Sequence, residues 1–263
     1  MRTLLLLVDP QNDFCDPRGS LYVPGASEDA ARVAAMIGRI SEGLGELVVT
    51  MDCHHVLDVA HPLMWVDAQG NHPAPFTTIT LQDLENGTWR AVRPAWQGRL
   101  LHYVSDLEAQ GRYRLTVWPE HCLAGSWGFG IVPRVFEAVT AWEREHAVTA
   151  TLVMKGWNPW TEHYSAVRAE VPDPAEPGTG VNRPLVEKIL AADVVGVSGE
   201  ALSHCVANTV RDLVEPLGGD LSMLVLILDT TSSVPGFEPL GEAFVEEMET
   251  RGMKLSSSLG FLA

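Results

Sequence analysis

The sequence predicts an α/β protein, a three-layer α/β/α sandwich with parallel strands in the middle layer. Three observations predict it. Short apolar runs alternate with helical periodicity along all 263 residues, the pattern of strands joined by right-handed helical crossovers. The first run, Thr3 to Asp9, is almost entirely Leu and Val with no polar alternation, as befits a strand buried on both faces. Several runs end on a titratable side chain: Asp9, Asp52 and Lys155 close three of them, and Cys205 follows a fourth. In a parallel sheet such ends share one edge, where ligands gather in open α/β folds.

The elements follow in order. After the first strand come Pro10-Gln11-Asn12-Asp13-Phe14 and a helical pattern from Ser27, a possible cap, to Leu44. Glu46 to Asp52 reads as the second strand, with His54, His55 and His61 just beyond it. Residues 61–115 are irregular: Asn71-His72-Pro73-Ala74-Pro75 is loop, Asn86-Gly87 is a turn signal, and Trp96 to Gln110 is helical. Leu115 to Trp118 reads as a short strand, Pro133 to His146 as a helix, and Val148 to Met154 as a strand leading to Lys155. Thr161 to Glu170 reads as a short helix, Asp173 to Gly180 as a Pro/Gly loop, and Arg183 to Ala192 as a helix. Val194 begins a β-branched strand that breaks at Gly199. Ser203 is placed to cap a helix from about His204 to Glu215. Leu221 to Asp229, Phe237 to Gly252 and Met253 to Ser257 complete the pattern as strand, helix and edge strand. With no repeat or low-complexity linker, residues 1–263 are expected to form one domain carrying an irregular insertion at about 61–115.

Composition narrows the partners. A formal charge of -16 argues against nucleic acid and anionic membranes. No apolar run reaches the roughly 18 residues of a membrane span, and no signal-peptide pattern precedes Leu4. Cys15, Cys53, Cys122 and Cys205 sit in a chain large enough to need no disulfide framework. The expected setting is the cytoplasm with reduced thiols, and a homo-oligomer is the expected assembly.

The chemistry converges on the strand ends. Cys205 falls in the first turn of its helix, where free amides and the helix dipole favour a thiolate and a lowered pKa; the plain alternative is a small buried core cysteine. With Asp9 to take the thiol proton and Lys155 to stabilise the developing charge, the three make a working set. Amides of the Gly199–Cys205 turn are placed to hold an oxyanion. Asp52 and His54 alternate just past a strand, and His121 ends another. One carboxylate and two imidazoles suit Zn²⁺, Fe²⁺ or Mn²⁺, one ion per chain, with water in the open positions. His55, His61 and His72 are further candidates or plain loop histidines.

Four blocks then carry a resemblance: Val8-Asp9-Pro10-Gln11-Asn12-Asp13-Phe14 with Gly19-Ser20-Leu21; Thr50-Met51-Asp52-Cys53-His54; Trp118-Pro119-Glu120-His121-Cys122-Leu123-Ala124-Gly125-Ser126-Trp127-Gly128; and Gly199-Glu200-Ala201-Leu202-Ser203-His204-Cys205-Val206. Lys155-Gly156, with Tyr164-Ser165-Ala166, fits a fifth. In these blocks, which span nearly the whole chain, the sequence resembles the isochorismatase-like cysteine hydrolases, and among them the nicotinamidases. The resemblance implies a six-stranded, mostly parallel Rossmann-like sheet and an Asp9–Lys155–Cys205 triad. It also implies an oxyanion hole from the amides of Ala201 and Cys205 with a cis peptide before Ala201, and a metal on Asp52, His54 and His121. Phe14 matches an aromatic that lines the substrate pocket, and Trp65 and Trp157 are candidates to join it. The implied reaction is hydrolysis of nicotinamide to nicotinate and ammonia through a thioester, a step of NAD salvage.

The chain departs from that pattern in three places. The 61–115 segment is long, the further histidine after Asp52-x-His54 is not cleanly matched, and Glu200 stands where a small or apolar residue is usual. Two other readings therefore stand beside the first: a hydrolase of another small carboxamide or an N-carbamoyl compound, and a catalytically silent ligand-binding member. The Asp52/His54/His121 set favours the nicotinamidase reading over the second, and the complete triad argues against the third.

Overall fold

The computed structural model describes residues 2–263. Six strands form one all-parallel sheet: β1 (Thr3–Val8), β2 (Glu46–Asp52), β3 (Thr151–Lys155), β4 (Val194–Gly199), β5 (Leu224–Ile227) and β6 (Lys254–Ser256). Their order across the sheet is β6-β5-β4-β1-β2-β3. The expected sandwich is thus present, with every strand pair parallel. Every residue of β1 is buried, which is why its sequence shows no polar alternation.

The longer helices are α1 (Ala26–Ile40), α2 (Gln97–Ala109), α3 (Pro133–His146), α4 (Arg183–Leu190), α5 (Ala207–Leu213) and α6 (Glu238–Glu249). α1 packs against α3, and α5 against α6. From β1 the chain moves through β2 to β3, then crosses back to β4 and continues outward to β5 and β6. The order reverses at β1, so right-handed crossovers set α1 and α3 on one face and α4, α5 and α6 on the other. The crevice at that reversal, beyond the carboxyl ends of β1 and β4, is the expected binding site of such a sheet.

Five local expectations are corrected. Thr161–Glu170 forms bends rather than a helix. Leu115–Thr116 is a strand, but it pairs antiparallel with Thr78–Ile79 outside the main sheet, because the 61–115 segment supplies its partner. α1 begins after Gly25 with no side-chain cap, so Ser27 caps nothing. Ser203 is no cap either: Leu202–Val206 is a single π turn leading into α5, and the Ser203 hydroxyl accepts the Val234 N–H at 3.1 Å. The 61–115 segment is less irregular than its composition suggests. Met64, Trp65, Ile79, Leu84, Leu100 and Val104 form a second apolar core, continuous with Val59 and Val117 on either side. Among the described residues no helix is long and apolar enough to cross a membrane.

Candidate active site

Sheet register builds the site. Val8 lies opposite Gly199 and Asp52 opposite Lys155, so Asp9, Asp52, Lys155 and the turn before Cys205 meet at one edge. Gly199 has a φ of +111°, and a Cβ there would collide with the backbone of Val8; glycine alone lets β4 end so close to β1.

Asp9 is fully buried. Thr50 on β2 accepts its N–H at 3.0 Å and donates to Oδ1. The other oxygen, Oδ2, lies 2.9 Å from the Lys155 ammonium without the alignment of a hydrogen bond. It is thereby left without a hydrogen-bond partner, on the same ammonium that lies against Cys205 Sγ. Lys155 Nζ also stands 2.9 Å from Asp52 Oδ1 and 3.6 Å from Cys205 Sγ. The lysine is therefore shared between the triad and the Asp52 group.

Electrostatics correct one expectation. Burial pushes the Cys205 thiol well above its ordinary value; Lys155 opposes this, but Asp9 and Asp52 add to it. The helix-start argument for a resting thiolate loses to complete desolvation beside two carboxylates. Burial also raises Asp9, with Lys155 opposing and Asp52 assisting. Burial disfavours charge on Lys155, yet Asp52 and Asp9 outweigh it and hold the ammonium well above its usual range. The resting arrangement is a neutral thiol beside a carboxylate of increased proton affinity and a fixed cation.

Asp52, His54 and His121 offer ligand atoms that all lie within 4.8 Å of one another. His54 Nε2 is 3.0 Å and His121 Nε2 3.4 Å from Asp52 Oδ2. The opposite nitrogens are held from behind: His54 Nδ1 by Asp58 Oδ2 at 3.0 Å, His121 Nδ1 by the Pro119 carbonyl at 2.9 Å. Such outer bonds fix imidazole orientation in metal sites. Burial opposes charge on His54, but Asp52 and Asp58 hold its pKa well above the ordinary value. One buried carboxylate and two buried imidazoles, with Asp58 behind His54, make a donor set that fits a divalent cation in ligand type. His61 is buried with Nε2 3.2 Å from His121 Nδ1; it buttresses His121 rather than joining the set. His55 and His72 lie outside it too.

Beside Cys205 is a small cavity lined by the apolar side chains of Phe14, Trp118, Tyr164 and Val234, by Ala201, His204 and Cys205, and by Asp52, His121 and Glu162. Phe14 sits 5.5 Å from the His121 ring. The other two aromatic candidates are elsewhere. Trp65 is wholly buried in the second core, its indole N–H bonded to the Val59 carbonyl at 2.7 Å. Trp157 is 57 % exposed and, with His55 and Trp160, lines a surface cavity that Lys155 also lines, and it does not line the cavity beside Cys205. The peptide between Glu200 and Ala201 is cis, as the resemblance implies. Among the described residues the Ala201 N–H, at the mouth of the π turn, has no acceptor.

Sequence reasoning missed several participants. Gln11 clamps Asp52 by both backbone groups, accepting its N–H at 2.7 Å and donating to its carbonyl at 2.8 Å. Gln11 and Trp118 stand inside the motif blocks, which was their only signal. Asp58, four residues after His54, carries none.

No family model matches the chain. The curated nicotinamidase of Saccharomyces cerevisiae is 28 % identical over 211 residues, covering 80 % of this chain and 79 % of that one. The solved yeast nicotinamidase bound to the inhibitor nicotinaldehyde superposes with a TM-score of 0.67 at 22 % identity, covering 97 % of this chain and 99 % of the other. A pyrazinamidase of Pyrococcus horikoshii in complex with zinc gives 0.58 at 19 % identity, with 98 % and 99 % covered. The chain has the isochorismatase-like fold and is nicotinamidase-like in sequence, as the motif blocks indicated.

Proposed function

We propose that this protein hydrolyses nicotinamide to nicotinate and ammonia, with Cys205 as nucleophile. The observation that carries the reading is the convergence of Asp9, Lys155 and Cys205 at one buried edge, next to an aromatic cavity and an Asp-His-His set. Similarity to the yeast nicotinamidase supports the substrate.

Asp9 takes the thiol proton as sulfur bonds to the carboxamide carbon, and Lys155 steadies the charge. The Ala201 and Cys205 amides receive the oxygen as it becomes anionic. The proton held at Asp9 passes to the departing nitrogen, which leaves as ammonia. Water, deprotonated by the same carboxylate, then attacks the thioester and restores the thiol. Phe14 and the other aromatic walls exclude solvent and pack a planar ring. Asp52, His54 and His121 would hold one Zn, Fe or Mn ion, which supplies a Lewis-acid point for a pyridine nitrogen or a water.

The cytoplasm and a role in NAD salvage follow from this reading, and a homo-oligomer remains part of it. Ammonia release from nicotinamide and a panel of other carboxamides and N-carbamoyl compounds tests it. Selective turnover of nicotinamide is expected, with about one equivalent of metal per chain in protein purified without chelators or a histidine tag. Turnover restricted to other amides would replace the substrate, and no turnover of any would overturn the reading.

A further inference from the structure

The turn carrying Ala201 is tied to the rest of the molecule by a carboxyl pair that the reaction itself does not use. Glu200 and Asp29 are both buried, at 2 % and 3 % exposure, and Ser232 bonds to both side chains. Glu200 Oε2 accepts the Ser232 N–H at 3.1 Å, and the Ser232 hydroxyl donates to Asp29 Oδ2 at 2.5 Å. Around this pair the strand end and the 232–234 segment are zipped together. Leu202 N–H bonds to the Ser232 carbonyl at 2.8 Å, and Val234 N–H to Ser203 Oγ at 3.1 Å. Val234 in turn forms part of the catalytic cavity wall.

Two buried carboxyls tied to one serine disfavour a second negative charge between them. Asp29 has the Arg32 guanidinium at 2.5 Å and the Ser232 hydroxyl as partners. Glu200 touches no cation. Its surroundings are Asp29 and, at longer range, Arg32 of α1, the Ser232 amide, and the buried Cys15 thiol, itself raised by burial and by Glu200.

We propose that Glu200 is a positioning residue for the oxyanion turn: as a neutral acid linked to Asp29 through Ser232 it fixes the Ala201 amide, and its ionisation releases that turn. This rests on the hydrolase reading above. Burial and Asp29 hold the Glu200 carboxyl well above its ordinary range, so neutral at rest is the state expected. Raising the pH through its ionisation places two carboxylates on one serine, and the pair separates.

The test compares wild type, Glu200→Gln and Glu200→Ala. Glutamine keeps a donor and an acceptor but cannot ionise. Wild-type kcat should fall on the alkaline side with one ionisation, at little change in KM. Glu200→Gln should hold kcat within a few-fold at neutral pH and lose that limb. Glu200→Ala should lower kcat by about 10²-fold, the loss typical of one misplaced oxyanion donor. Melting temperature against pH, without substrate, gives a second readout. The folded state holds the Glu200 proton above the unfolded pKa, so this residue's contribution to wild-type stability should decline as pH rises until Glu200 ionises, and the difference between wild type and Glu200→Gln should show that decline. An alkaline limb unchanged in Glu200→Gln, or full kcat in Glu200→Ala, would overturn the proposal. Should Glu200→Ala fail to fold, the Gln comparison still decides. A wild-type protein that hydrolyses no amide overturns the hydrolase reading instead.

Discussion

The carboxyl edge of the sheet and the 61–115 segment bury opposite kinds of side chain. At the edge, Asp9, Asp52, His54 and Lys155 are all at most 3 % exposed and satisfy one another across elements distant in sequence. In the 61–115 segment, Met64, Trp65, Ile79 and Leu100 are completely buried in an apolar cluster, with the Trp65 indole bonded to the Val59 carbonyl. Apolar burial stabilises without constraining chemistry. Buried charge is costly and persists where its partners are fixed. The two regions should therefore fail differently when cut: the edge should lose turnover and keep its fold, and the 61–115 segment should do the reverse.

The largest expected effect is at the edge. Cys205→Ala should lower amide hydrolysis by about 10⁴-fold or more, as loss of a triad member does elsewhere, with circular dichroism and melting temperature near wild type. Asp9→Asn should lose about 10²- to 10⁴-fold, the range for a general base. Because these groups act as a unit, the double variant should be no worse than the poorer single one. Multiplicative losses would separate residues that the geometry joins through Lys155.

The mirror experiment is Trp65→Ala. Truncating a fully buried tryptophan should cost about 3–5 kcal/mol in denaturant unfolding, while kcat/KM per folded molecule stays within about twofold. A selective loss of activity without a loss of stability would put Trp65 back in the substrate pocket.

That contrast also explains what the sequence reveals and what it hides. β1 and β4 are legible because strands buried on both faces are apolar without alternation. Asp9, Lys155 and Cys205 are legible because titratable residues at strand ends rarely serve packing. Trp65 misleads because its sequence neighbourhood, close after His61, says nothing about which core receives it. Thr161–Glu170 misleads because its backbone bonds go to long-range partners, such as Ala166 N–H to Thr209 Oγ1 at 3.0 Å. The Cys205 thiol misleads for a physical reason: a helix start can be recognised in sequence, whereas desolvation depends on everything packed around it. Asp58 and Thr50 act only through contacts, and contacts between side chains have no period.

A smaller effect concerns His204 at the base of the cavity. Burial lowers its pKa to about 3, so it is neutral when folded and takes up a proton on unfolding below about pH 6.5. The unfolded state binds more protons between those values, so this residue's contribution to stability falls as pH falls. Relative to His204→Gln, wild type should lose about 2 kcal/mol between pH 7.5 and pH 5, from about 1.5 pH units below the unfolded pKa at 1.4 kcal/mol each. Denaturant melts of both proteins at the two pH values check it. Parallel pH dependences would mean that His204 is protonated in the folded protein.

The smallest expected effect discriminates most finely, because it compares two aromatic rings that the sequence offered for one role. Phe14 is 6 % exposed and walls the cavity beside Cys205, whereas Trp157 is 57 % exposed with its ring 4.6 Å from His55. Phe14→Ala removes apolar surface that a planar substrate would cover, so KM for nicotinamide should rise by about tenfold or more, given 1.5–3 kcal/mol for a buried phenylalanine. Trp157→Ala removes a ring whose outer face meets water and whose cavity lies outside the catalytic one. An exposed substitution changes free energies by about 0.5 kcal/mol at most, so KM should move less than about threefold. Steady-state kinetics on the two variants side by side decide the matter. If Trp157→Ala raised KM as much as Phe14→Ala, substrate would reach into the outer cavity past Lys155, and the division between a buried catalytic edge and an inert surface beside it would fail.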